Sequence, residues 1–106
     1  MSAARVEFTP EALREIDDAF EWYLERSLQA AEALIREVDG AVALIASSPT
    51  IWPYFEAGTR RYVLRKFPYD VVYREIPAGI EVIALAHHKR RPRYWTRRLR
   101  RARRPD

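Results

Sequence analysis

The sequence predicts an α+β fold. An N-terminal strand leads into an antiparallel helical hairpin, which packs on a small, mainly antiparallel sheet and is followed by a short basic C-terminal helix or tail. Three observations carry this. Apolar residues recur at helical spacing as far as about residue 46 and switch to strand alternation after residue 60. Only a residue or two around Ser27 separates two amphipathic runs, which favours an antiparallel helix pair. Pro68 and Pro77-Ala78-Gly79 then cut the second half into strand-length pieces. A chain of 106 residues supports one core, so residues 1–106 are read as one domain.

Arg5-Val6-Glu7-Phe8 alternates and reads as the first strand. Thr9 offers an N-cap, Pro10 suits the first helical position and Glu11 favours the positive end of the helix dipole. Leu13, Ile16, Phe20, Tyr23 and Leu24 form one stripe of a helix ending near Arg26, with Glu15, Asp18, Glu21 and Glu25 opposite. A second helix runs from about Leu28 to Ala46, its apolar face built on Ala31, Leu34, Ile35, Val38, Ala41, Val42 and Ile45. Gly40 falls on its far side, at a cost of roughly 1 kcal/mol relative to alanine. Ser47-Ser48-Pro49 stops the helix, and a loop with Trp52, Tyr54 and Phe55 follows to Thr59, its aromatics placed to close one end of a core.

Three strands are expected over 60–67, 69–76 and 80–87. Tyr69, Val71 and Tyr73 line one side of the middle strand; Asp70, Val72 and Arg74 line the other. Residues 82–86 are apolar on both faces, so that strand should be central or covered on both sides. Two helices cover only one face of a sheet, and a C-terminal segment or a partner must shield the other. Pro92 can open a last short helix carrying Tyr94, Trp95, Leu99 and Ala102, with residues 97–106 read as a frayed basic tail.

Charge is divided unevenly. Residues 1–59 hold four basic and eleven acidic side chains, a net −7, whereas residues 60–106 hold fifteen and four, a net +11. The plain reading is an acidic helical layer neutralising a basic sheet; the sharper one is a basic working surface for an anionic partner. With no cysteine, disulfides and thiolate metal sites are excluded. No signal-peptide pattern and no apolar run of about 20 residues occurs, so a cytoplasmic protein without membrane contact is expected.

Two stretches carry a resemblance. Arg61-Tyr62-Val63-Leu64-Arg65-Lys66-Phe67-Pro68-Tyr69-Asp70-Val71-Val72-Tyr73 resembles the central hairpin of RelE/ParE toxins. Ala84-Leu85-Ala86-His87-His88-Lys89-Arg90-Arg91-Pro92-Arg93-Tyr94-Trp95 is similar to the last strand and exit segment of that superfamily. The resemblance implies a growth-inhibiting toxin of a type II, plasmid-stabilising toxin–antitoxin module. Its partner is an antitoxin with an acidic, amphipathic C-terminal arm, held in a hetero-oligomer. Two targets follow. ParE-like members bind DNA gyrase and trap it on broken DNA without being enzymes; RelE-like members cut messenger RNA on the ribosome. A decayed module that pairs with its antitoxin and poisons nothing is a third reading.

Cleaving RNA needs a base for the 2′-hydroxyl, cations for the phosphate and an acid for the leaving oxygen. The superfamily's nucleases resemble one another in placing an arginine just after the aromatic that opens the third strand, where this chain has Asp70. That departure favours the ParE-like, non-enzymatic reading. If the chain is a nuclease, the remaining candidates are Arg65, His88, Arg90 and Tyr94. For target or antitoxin binding the expected set is Arg60, Arg61, Arg65 and Arg74, then His88, Lys89, Arg90, Arg91 and Arg93, and finally Tyr94, Trp95, Arg97 and Arg98. Tyr94 and Trp95 either stack on bases or pack under the sheet, and packing is the commoner use. Adjacent His87 and His88 point to opposite faces of a strand, which disfavours a shared metal ion. No metal and no cofactor is expected. Trp22 sits among acidic residues, either folded over the hairpin or exposed as a protein interface.

Overall fold

The computed structural model describes residues 3–102 and the side chains of residues 3–99. Strand β1 (Arg5–Phe8) is followed by helices α1 (Pro10–Leu24) and α2 (Leu28–Ser47), a single turn of 3₁₀ helix (Glu56–Gly58), strands β2 (Arg60–Val63), β3 (Tyr69–Ile76) and β4 (Gly79–His87), and helix α3 (Thr96–Ala102). The cap read from the sequence holds, the Thr9 hydroxyl accepting from the Ala12 amide; Ser27, read only as the link between the helices, also caps α2, its hydroxyl accepting from the Ala30 amide. The four strands form one sheet in the order β1-β4-β3-β2. β1 runs parallel to β4, and the other pairs are antiparallel.

Strand β2 is shorter than the expected 60–67. The Glu37 carboxylate of α2 accepts the backbone N–H groups of Arg65 and Lys66, so those amides serve a turn rather than a ladder. The last short helix expected to carry Leu99 and Ala102 is present as α3, but it begins at Thr96, after Tyr94 and Trp95, rather than at Pro92; residues 103–106 of the expected tail lie outside the described residues.

The hairpin covers one face of the sheet. Ala12 and Ala19 of α1, Leu34, Val38, Ala41 and Ile45 of α2, and Val71, Tyr73, Ile80, Val82 and Leu85 of the sheet form the main core. The stripe read for α1 is rotated: Leu13 and Leu24 are exposed, and the small residues Ala12 and Ala19 meet the sheet. The other face carries a second core, in which Trp95 and Leu99 cover Val72, Ile83, Ala84 and Ala86, with Phe55 at the edge. The chain's own C-terminal segment therefore supplies the shield that the two-sided apolar pattern required. Fully burying a large apolar side chain such as Leu99 is worth about 1.5–3 kcal/mol, enough to hold a short helix that would not persist alone.

A β-bulge makes this second core possible. Val72 pairs with Ala84 but Tyr73 pairs with Val82, so Ile83 is an extra residue on β4. Ile83 and Ala84 consequently both serve the second core. The Ile83 carbonyl, released from the ladder, accepts from the Thr9 hydroxyl at 3.2 Å and from Arg98 Nη1 at 3.0 Å. In the aromatic loop, Trp52 packs edge-on against Tyr62 and Phe55 leans on Trp95, whereas Tyr54 stays exposed with the Arg60 guanidinium over its ring.

Candidate functional site

Side chains fix the C-terminal segment to the rest of the domain through Glu15. Its carboxylate accepts the Leu85 amide at 3.1 Å, the Tyr94 hydroxyl at 2.5 Å and both terminal nitrogens of Arg98 at 3.0 and 2.9 Å. Arg90 approaches to 4.0 Å and stacks on the Tyr94 ring. Burial, then the hydrogen bond and charge of Glu15, push the Tyr94 hydroxyl well above the usual tyrosine range. Burial alone would lower Arg98, but the hydrogen bonds and charge of Glu15 outweigh it and raise it. Placing Glu15 on the solvent side of the first helix is thus corrected. The signal lay in Ala12 and Ala19, whose small side chains at helical spacing on either side of Glu15 mark a close approach to the sheet.

On the face opposite the hairpin, Asp70 is only 7% exposed. Its two oxygens are divided between Arg61 Nη1 at 3.3 Å and His88 Nε2 at 2.9 Å. Two cationic or polar neighbours from β2 and the exit of β4 thereby absorb the carboxylate. Beside this cluster opens a shallow groove walled by Arg61, Arg90, Arg91 and Arg93, with Phe55 and Tyr94 against its floor. Both rings are capped by guanidinium groups, Arg61 over Phe55 and Arg90 over Tyr94. Arg93 takes a left-handed backbone conformation, φ 62°, and pairs with Glu56 at 3.2 Å. That turn sends Trp95 inward while Arg91 stays exposed.

A second groove lies at the join of α1 and β4. Trp22, Tyr23, Tyr69 and Leu85 line it, with Asp18 among the acids and Lys89 and Arg90 among the bases. Trp22 is half exposed, edge-on to Tyr23 and stacked against Arg26; of its two readings, exposure is the one observed. His87 packs edge-on against Tyr69, and its Nδ1 accepts the Lys89 amide. Burial first, then the neighbouring His88 and Lys89, lower its pKa.

The sequence-derived residues are therefore scattered in role. Arg60, Arg74, Trp95 and Arg98 work inside the fold rather than on a binding surface. Arg60 is 8% exposed, bonded to Glu75 and to the Trp52 carbonyl. Arg74 is held by Glu81 at 2.8 Å, and Trp95 is 2% exposed. Arg65 lies apart from the other nuclease candidates, in a depression along α2 that Tyr62 and Lys66 share. His88, Arg90 and Tyr94 line the same groove. Arg97 is exposed on α3, and Lys89 is exposed where β4 ends. His87 and His88 diverge as the strand geometry requires, and no cluster of three metal-ligating side chains exists among the described residues. No helix among them is long and apolar enough to cross a membrane.

The fold is similar to that of a solved chain described as "Chromosomal ParDE TA system from P. aeruginosa". The TM-score is 0.71 at 15% identity, covering 80% of this chain and 96% of that one. No curated protein matches the sequence. The family described as "ParE toxin of type II toxin-antitoxin system, parDE" matches residues 6–92. That span runs from the first strand through the hairpin, the sheet and the Arg61–Asp70–His88 cluster, and it places this chain in the ParE toxin family of type II toxin–antitoxin systems.

Proposed function

We propose that this chain arrests growth by binding DNA gyrase rather than by cutting RNA, and that a cognate antitoxin neutralises it. One observation carries the non-nucleolytic part. At the third-strand position where the related nucleases hold an arginine, Asp70 sits buried and bonded to Arg61 and His88. Loss of one donor to a transition-state oxyanion costs on the order of 10²–10³ in rate, and here an anion replaces the donor. Of the other candidates, the Tyr94 hydroxyl is committed to Glu15, the His88 ring to Asp70, and Arg65 lies elsewhere, which leaves Arg90 as a cation without an acid or base beside it to share the work.

The antitoxin half rests on family membership and on the groove beside Trp22. Its exposed apolar floor and its two signs of charge suit an amphipathic acidic arm. An antitoxin arm is not needed to shield the other face of the sheet, because Trp95 and Leu99 already cover it.

The test pairs two assays on the purified protein. Gyrase supercoiling is expected to fall and cleaved DNA to accumulate, while transcripts on programmed ribosomes stay intact. Codon-dependent transcript cleavage that disappears on Tyr94→Phe or Arg90→Ala would overturn the reading in favour of the nuclease.

A further inference from the structure

We propose that the arginine-walled groove on the face opposite the hairpin binds the phosphate backbone of duplex DNA. The choice of DNA over duplex RNA rests on the gyrase reading above; the rest stands on the groove itself.

Three features of the groove point to a polyanion. First, positive charge is in excess. Arg61, Arg90, Arg91 and Arg93 wall it against one lining carboxylate, Asp70; Asp70 pairs with Arg61 and His88, Glu56 with Arg93, and Glu15 lies 4.0 Å from Arg90. Arg91 is exposed with no side-chain partner among the described residues. Guanidinium forks suit bidentate contact with phosphate oxygens.

Second, the core beneath the groove is closed. Ala86, Trp95 and Leu99 are at most 9% exposed, so the apolar surface the groove offers comes from Phe55, Val63, Pro92 and Tyr94 rather than from the second core.

Third, its aromatic rings are occupied. Arg61 lies 4.3 Å from the Phe55 ring centre and Arg90 3.8 Å from that of Tyr94. Unpaired bases of a single strand need open ring faces to stack on. With those faces capped by cations, the groove presents positive charge to a backbone and no platform to bases. That is the chemistry of sequence-independent contact with a duplex.

Fluorescence anisotropy with a labelled random-sequence DNA duplex, without gyrase, tests this. Binding should weaken with salt, log K falling by about 0.9 per phosphate contact for each unit of log salt. Arg90→Gln with Arg91→Glu should weaken binding at least tenfold and reduce that slope by about 2, if each arginine serves one phosphate. Arg14→Glu with Arg36→Gln makes the same change in net charge on exposed positions of the helical layer and should leave binding within twofold. Unfolding midpoints of all variants are measured alongside, and an Arg90→Lys, Arg91→Lys variant should retain binding.

Equal weakening by both charge-changing pairs would overturn the proposal, since net charge alone would then explain binding. So would loss on Arg103→Ala with Arg104→Ala but not on the groove pair, or tenfold tighter binding to duplex RNA. Absence of DNA binding with gyrase inhibition intact sinks this inference alone. DNA binding without effect on gyrase sinks the target reading alone.

Discussion

Glu15 holds one residue's worth of the molecule's architecture. Replacing it by alanine strands the Tyr94 hydroxyl, the Leu85 amide and the Arg98 guanidinium, whose side chain is 12% exposed. Removing one partner of a buried ion pair costs about 3–5 kcal/mol, so Glu15→Ala should lower the urea midpoint by a corresponding amount. Glu15→Gln keeps an acceptor for these donors and loses the charge, and should cost about 1–3 kcal/mol. A Glu15→Ala protein as stable as the parent in urea would show that the clamp contributes nothing. This residue was not legible in the sequence. Its partners lie 70 to 83 positions away, and a helix wheel weighted by hydrophobicity favours Leu13 and Leu24 over alanines. Asp70 was legible as a departure from a pattern; its two partners were not, because cross-strand register sets them.

Among the elements, helices were legible nearly to the residue because Thr9 announces its own cap, Ser27 marks the short link, and Pro10 and Pro49 bracket the hairpin. The bulge at Ile83 had no local signature, and β2 was overextended because its terminator, Glu37, belongs to a distant helix. Two glycines separate cleanly at this scale. Gly79 opens β4 at φ 148°, and a Cβ there would lie 2.1 Å from the Arg5 carbonyl oxygen of β1. The neighbour is backbone and cannot rotate away. Gly79→Ala combines strain of about 1–3 kcal/mol with overpacking of similar size, so a loss of about 3–5 kcal/mol and detachment of β1 are expected. Hydrogen exchange at the amides linking β1 and β4 reads the detachment directly. Gly40 has ordinary helical geometry with nothing within 4 Å of an added Cβ. Gly40→Ala should raise stability by about 0.5–1 kcal/mol. Thermal melts in which both variants shift the same way would contradict this account.

At the scale of the whole molecule, the charge asymmetry between halves was legible as a number and not as a map. Part of the positive half is spent internally, on Glu15, Asp70, Glu75 and Glu81. Among the described residues, Arg61, Arg91 and Arg93 line the groove opposite the hairpin, Arg65 and Lys66 lie along α2, and Arg90 is shared with the groove beside Trp22. Trp22 belongs only to the second groove and Arg91 only to the first, so these two residues probe the surfaces separately. Trp22→Ala should change the unfolding free energy by under about 1 kcal/mol, since the side chain is half exposed and a buried tryptophan would cost about 3–5. It should weaken antitoxin capture, measured by titration calorimetry, by tenfold or more. A large stability loss with unaltered capture would remove the groove as the docking site. The parallel pairing of β1 with β4 has a consequence in time. Arg5 through Phe8 are made well before the strand they pair with, which begins at Gly79. The hairpin of α1 and α2 can form from local contacts while β1 waits without a neighbour. Glu15 waits longer still, for Tyr94 and Arg98. Such long-range closure is slow relative to helix formation. Both faces of the sheet, and with them the arginine groove, come into being only after nearly the whole described chain has been synthesised, so a ribosome-bound fragment of this protein carries neither its core nor its charge in working order.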